Sequence, residues 1–164
     1  MKNVKEEKLY LTEKSKELFK KIDFSDTFST TNHINNLNEI SNIIFNTTPK
    51  WITSLFKIRN KMVKLIGLKY TKPTNYNTDY KVGGYVSFFK IFYISDDEII
   101  LGANDKHLNF RAVINNTKAE INNIKVTTLV EYNNVKGKIY MSLIKPFHRL
   151  VVMKMVSQAF KNNI

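Results

Sequence analysis

Between residues 85 and 132 short apolar runs, in places alternating with polar residues at a period of two, are separated by polar turns, whereas the flanking segments repeat every three to four residues. The first pattern predicts strands over 85–94, 98–103, 107–115 and 124–132. Turns at Ser95-Asp96-Asp97, at 104–106 and at Asn115-Asn116 separate them, which makes an antiparallel meander. In 107–114 the alternation is strict. Leu108, Phe110, Ala112 and Ile114 share one face, and His107, Asn109 and Arg111 share the other. Val126, Thr128, Val130 and Tyr132 likewise share a face of the last strand.

The second pattern predicts helices. Asn36 and Glu39 stand in the relation of a capping box and open a helix through Phe45. Thr48-Pro49 opens another, with Lys50, Lys57, Lys61 and Lys64 on one side and an apolar stripe of Trp51, Leu55, Phe56, Met62, Val63 and Ile66, ending at Gly67. Trp51 is expected to be buried against the sheet or the neighbouring helix. Residues 136–161 carry Tyr140, Leu143, Ile144, Phe147, Leu150, Val151, Met155 and Phe160 at helical spacing, and Pro146 predicts a kink or break near Lys145. Upstream, 24–31 reads as a strand and 7–21 as a charged helical arm.

This order predicts an α+β fold: a curved antiparallel sheet wrapped around a long C-terminal helix, with two short helices after the first strand. The organisation is a charged N-terminal helical arm, 1–22, followed by one domain, 23–164. A sheet closing on a helix commonly encloses a pocket, here with Phe88, Phe92, Phe110, Tyr140 and Phe147 positioned to line it. The connection 69–84, with Tyr70, Pro73, Tyr76 and Tyr80, is long for a plain connector. It reads as a rim or lid, or as a loose insertion with an added edge strand.

With 164 residues, 43% of them apolar, the chain suits a single core. It has no cysteine, which removes disulfides, thiolate metal ligands and a cysteine nucleophile. No segment has the length and apolar character of a secretory signal or a membrane span, so a cytoplasmic protein is expected.

The net charge of +12 raises the question of nucleic acid or anionic membrane. Yet lysine outnumbers arginine 23 to 3, and arginine is the residue suited to bidentate phosphate recognition. The charge is also uneven. Seven basic and no acidic residues lie between Lys50 and Lys72, and six basic and no acidic residues follow Glu131. Core-packed helices with solvated basic faces account for this without a polyanionic partner.

Candidate chemistry is sparse. His107 and Arg111, at alternate strand positions, could grip a carboxylate or serve as acid and base, or could belong to a solvated face. His148 beside Arg149 has the same two readings, and His33 carries no signal. The three histidines and the Asp96-Asp97-Glu98 turn lack metal-site spacing, so neither a metal nor a catalytic set is expected.

Three stretches carry a resemblance: Gly137-Lys-Ile-Tyr140 followed by Lys145-Pro-Phe-His-Arg-Leu150, Leu101-Gly102 with Asp105-Lys-His-Leu-Asn-Phe-Arg111, and Pro49-Lys-Trp51. Together they resemble the motifs of an uncharacterised bacterial family in the helix-grip superfamily of START, SRPBCC and birch-pollen-allergen-like proteins. The likeness covers residues 24–160 and implies the helix-grip fold. Members also occur behind nicotinamide-dependent reductase-like domains, but this chain has no glycine-rich dinucleotide fingerprint and no cofactor is expected. Asn109 stands where an acidic residue is common in that family.

The leading expectation is thus a module binding a small apolar or amphipathic molecule between sheet and C-terminal helix, through Phe88, Phe92, His107, Phe110, Arg111, Tyr140, Phe147 and His148. A hydrolase, cyclase or isomerase using the same pocket is the alternative. A basic surface for anionic membrane or nucleic acid ranks last, and the sequence is silent on oligomeric state.

Overall fold

The computed structural model describes residues 3–47, 49–52, 54 and 76–161. Seven strands form one open antiparallel sheet in the order β1-β2-β7-β6-β5-β4-β3. They are β1 (Lys5–Glu7), β2 (Phe24–Thr30), β3 (Tyr85–Val86), β4 (Phe89–Ile94), β5 (Glu98–Asn104), β6 (Leu108–Asn116) and β7 (Ile124–Tyr132). Three helices lie wholly within the described residues: α1 (Glu13–Lys16), α2 (Leu37–Asn46) and α3 (Val135–Gln158). This α+β architecture, an antiparallel sheet with a long C-terminal helix and short helices early in the chain, is the one predicted from the order of elements and is consistent with a helix-grip.

The meander follows from turn chemistry. Ser95 Oγ accepts from the Glu98 N–H and closes the β4–β5 turn. The predicted strand 85–94 is divided, because Ser87 adopts a positive φ and turns the chain between β3 and β4. A register shift between Ile91 and Tyr93 then leaves Ile91 facing one side, while Phe92 and Tyr93 both pack on the other.

The inner face carries Phe28, Ile99, Leu101, Ala112, Ile114 and Val126. It is covered by Ile40 and Ile44 of α2 and by Met155 and Val156 of α3. The Asn36 capping box is present as predicted, with Asn36 Oδ1 accepting from the Glu39 N–H at 2.9 Å. The next helix is seen only at its start, where Ile52 is buried and Trp51 is 45% exposed. The expected burial of Trp51 is therefore corrected: one residue further along, Ile52 points inward instead. Most of that stripe, Gly67 and the Tyr70 and Pro73 part of the connection lie outside the described residues.

The outer face is also covered, by the N-terminal segment. Leu11, Leu18, Phe19 and Ile22 pack on Ile100, Val113 and Leu129. Threonines fasten the segment to the sheet. Thr27 Oγ1 accepts from the Tyr10 N–H, Thr127 Oγ1 donates to the Tyr10 carbonyl, and Thr12 Oγ1 donates to Glu98 Oε1 at 3.0 Å. Helix is confined there to one turn, α1, with β1 pairing on β2, in place of the continuous helix read over 7–21.

α3 runs unbroken through Pro146, so of the expected kink or break near Lys145 the break does not occur. The residue sits on an exposed part of the helix, where the carbonyl its ring leaves unbonded is open to water. Its N-cap is Asn134, whose Oδ1 accepts from the Gly137 N–H. Its far end is anchored by Asn32, which donates from Nδ2 to the Ala159 carbonyl at 2.6 Å and is itself held by Asn123.

Candidate functional site

The predicted site residues do not come together in one place. Phe92 and Arg111 come together on the outer face. The Arg111 guanidinium lies 3.6 Å from the centre of the Phe92 ring and 5.1 Å from that of Phe19, and donates to the Phe110 carbonyl at 2.8 Å. Burial lowers its pKa to about 10, opposed by the nearby Glu131 carboxylate, so it stays cationic at neutral pH. Gly102, its cross-strand partner, leaves the room: a Cβ there would come within 2.8 Å of Arg111 Cδ. This is a packed cation–π stack under the N-terminal segment.

His107 is buried in the β5–β6 turn, where its Nδ1 lies 3.1 Å from Asn134 Oδ1. The same turn receives Asn133 and Asn134 side-chain bonds to the Asp105 and Lys106 carbonyls. His107 therefore belongs to the seat of the α3 N-terminus, and one turn on, Tyr140 of α3 packs on Leu108. Phe110 meets Phe89 edge-on, with ring centroids 5.0 Å apart, at the margin of the inner core. Phe88 and Phe147 are both more than half exposed, on the β3–β4 turn and on α3.

His148 has a partner that the sequence reading did not offer. Its Nε2 lies 3.2 Å from Asp26 Oδ2, both side chains largely buried, and its ring meets Phe24 edge-on at 5.5 Å. Asp26 shares its strand face with Phe24 and Phe28, so the pair lies in the seam between β2 and α3. Along that seam the character of the helix changes. Val151, Val152, Met155 and Val156 join the apolar core near Phe28, whereas Lys145, His148 and Arg149 face Phe24 and Asp26.

The polar half of the seam opens into a cleft of about 370 Å³ lined by Glu6, Asp23, Phe24, Ser25, Asp26, Lys145 and Arg149. Most of its charges are matched. Arg149 holds Glu6 through Nη2 at 2.5 Å and Nε at 3.1 Å, and Lys145 Nζ stands 5.4 Å from the Phe24 ring centre. The Lys21 ammonium, followed by the Tyr132 N–H, holds the Asp23 carboxyl below its ordinary range. The inner pair is different. Asp26 and His148 are within ion-pair distance but poorly aligned, and Asp26 Oδ1 and His148 Nε2 are buried with no hydrogen-bond partner among the described residues.

Chemically, the cleft offers an aromatic wall, a carboxylate with a lone pair to spare, and two cations at the rim. His148 is not among the residues that line it. Among the described residues, no three acidic or histidine side chains stand close enough to hold a metal ion, and no helix is long and apolar enough to cross a membrane. The signal that could have found Asp26 was its place in β2, the one charged residue on the face it shares with Phe24 and Phe28. Its pairing with α3, more than a hundred residues away, is not local.

A family model described as a protein of unknown function (DUF2867) matches residues 18–155. No match was found among curated proteins or among solved structures.

Proposed function

Because the chain belongs to the family described as proteins of unknown function (DUF2867), whose description assigns no activity, we propose a function from the geometry alone: the chain is a binding module for a small amphipathic molecule. Its site is the cleft between β2 and α3. The ligand lays an apolar part on Phe24 and presents a hydrogen-bond donor to Asp26, with Lys145 and Arg149 at the mouth.

What carries this reading is the Asp26 carboxylate, which is buried with Oδ1 unsatisfied beside an open cleft. Buried polar atoms are nearly always bonded, and a buried charge without full partnering is costly. A ligand donor would remove that cost, and the Phe24 ring would add apolar contact area. A pocket deeper in the grip has less support, because the inner face near Phe28 is closed by α2 and α3 side chains.

The alternative, a hydrolase, cyclase or isomerase, draws on the same pair, since a carboxylate 3.2 Å from an imidazole is an arrangement that orients a general base. It has less support because His148 does not line the cleft.

The test is native mass spectrometry of protein purified without denaturation, run on wild type, Asp26→Asn and Lys145→Ala. A retained small molecule, lost or weakened in Asp26→Asn, is the expected result. Retention that is equal in all three proteins would place the ligand elsewhere. Chemical conversion of the retained molecule by wild type, but not by His148→Gln, would favour the enzyme.

A further inference from the structure

The side of α3 turned away from the sheet is apolar as well. Val135, Ile139, Leu143, Phe147 and Leu150 are each between 51% and 70% exposed. At about 100° per residue, Ile139, Leu143, Phe147 and Leu150 fall within an arc of about 80°, while the buried Gly137, Met141 and Met155 lie on the other side of the helix. From Val135 to Leu150 the stripe runs about 22 Å as a convex ridge. One exposed leucine would need no explanation, but a continuous row on one helix does.

Charge narrows what can cover it. α3 contains Lys136, Lys138, Lys145, Arg149 and Lys154 and no acidic residue. Lys136 and Lys154 stand near the two ends of the stripe, and the other three along one flank. A second copy would bring these cations against one another, each chain already carrying +12. Segment 50–72 would do the same, with seven basic residues and no acidic one. Nucleic acid would satisfy the charge but has no use for an apolar ridge. A protein helix would need a facing groove, whereas a fluid interface accepts a ridge as it is.

We propose that α3 is a membrane-surface element: its outer ridge inserts shallowly into an anionic lipid interface, with the flanking lysines extending to the headgroups. Lysine suits this role because its stem lies along apolar surface while the ammonium reaches a phosphate. Apolar area and electrostatic attraction to acidic lipid then add. The proposal does not depend on the cleft, since the ridge residues do not line it.

The experiment is co-sedimentation with phosphatidylcholine vesicles with and without phosphatidylglycerol, at ~0.1 M salt, where surface charges still act. Wild type is expected to bind the anionic vesicles and to leave the neutral ones. The double variant Leu143→Ser/Phe147→Ser should bind about tenfold more weakly or worse, since it removes two inserting side chains. Lys136→Glu/Lys138→Glu, which keeps the ridge, should also lose binding. Circular dichroism of both variants should match wild type, because every substituted residue is exposed. Absence of wild-type binding to anionic vesicles, or undiminished binding by the folded ridge variant, overturns the proposal. So does a wild-type dimer that Leu143→Ser/Phe147→Ser converts to monomer, because a second copy would then occupy the ridge.

Discussion

A Cβ placed on Gly137 would stand 2.0 Å from the carbonyl oxygen of His107. The first turn of α3 therefore rests directly on the backbone of the β5–β6 turn, and His107, Asn133 and Asn134 tie the two together. Two of the motifs behind the family resemblance, the one around residues 105–111 and the one opening at Gly137, are the two halves of this joint. Their shared role is structural: they fix where α3 starts and hence which of its residues reach β2.

Gly137→Ala tests the joint. Alanine favours helix over glycine by about 1 kcal/mol, but the added methyl cannot fit without lifting the helix, and overpacking of this kind costs ~1 to 3 kcal/mol. Urea denaturation should show a net loss of stability. A gain would mean that the helix and the turn are not in contact.

Arg111 is expected to behave as a core residue. Arg111→Ala should lose about 2 to 4 kcal/mol through the vacated volume and the lost ring contacts, and should free the N-terminal segment for proteolysis near Phe19. Lysine should not rescue it, since it lacks the planar group that lies against Phe92. Unchanged stability together with altered ligand binding would return Arg111 to the list of binding residues.

Phe147→Ala should change stability by no more than ~0.5 kcal/mol, as for other exposed positions. Were Phe147 part of a closed interior, the loss would be ~3 to 5 kcal/mol. Chemical denaturation distinguishes the two outcomes directly.

Glu98 gives a pH signature. Burial raises its pKa above 4.5, against the bonds from Thr12 and Asn115 that favour the charged form. The folded state therefore binds the proton more tightly than the unfolded chain. The stability Glu98 contributes is fully present below about pH 4.5 and declines as pH rises through its folded pKa. Relative to Glu98→Gln, the wild type should thus become less stable as pH climbs from 4 towards neutrality and then level off. A gap that moves the other way would show that the carboxylate is stabilised where it sits.

Much of the fold was legible because its signals are local. Period-two alternation in 107–114, the Asn36–Glu39 box and the Ser95 turn each involve residues a few positions apart, and all three stand as read. The outer face was less legible. Leu11, Leu18, Phe19 and Ile22 are scattered among charges in the sequence, so nothing signalled that Arg111 is buried beneath them; His107 is buried by a different and equally distant contact, the N-terminus of α3. Asn32, Asn123 and Asn134 carry no local signal of their own, yet they hold both ends of α3. The Asp26–His148 pair was out of reach for the same reason: it joins the second strand to the last helix.

Amide chemical-shift mapping can locate the ligand proposed for the cleft between β2 and α3. Wild type and Asp26→Asn would be titrated with a small panel of amphipathic amines and alcohols. Perturbations in wild type are expected to be confined to residues 23–26, 145 and 149, and to be lost in Asp26→Asn. Perturbations centred on residues 92 and 111, or identical shifts in both proteins, would contradict that location.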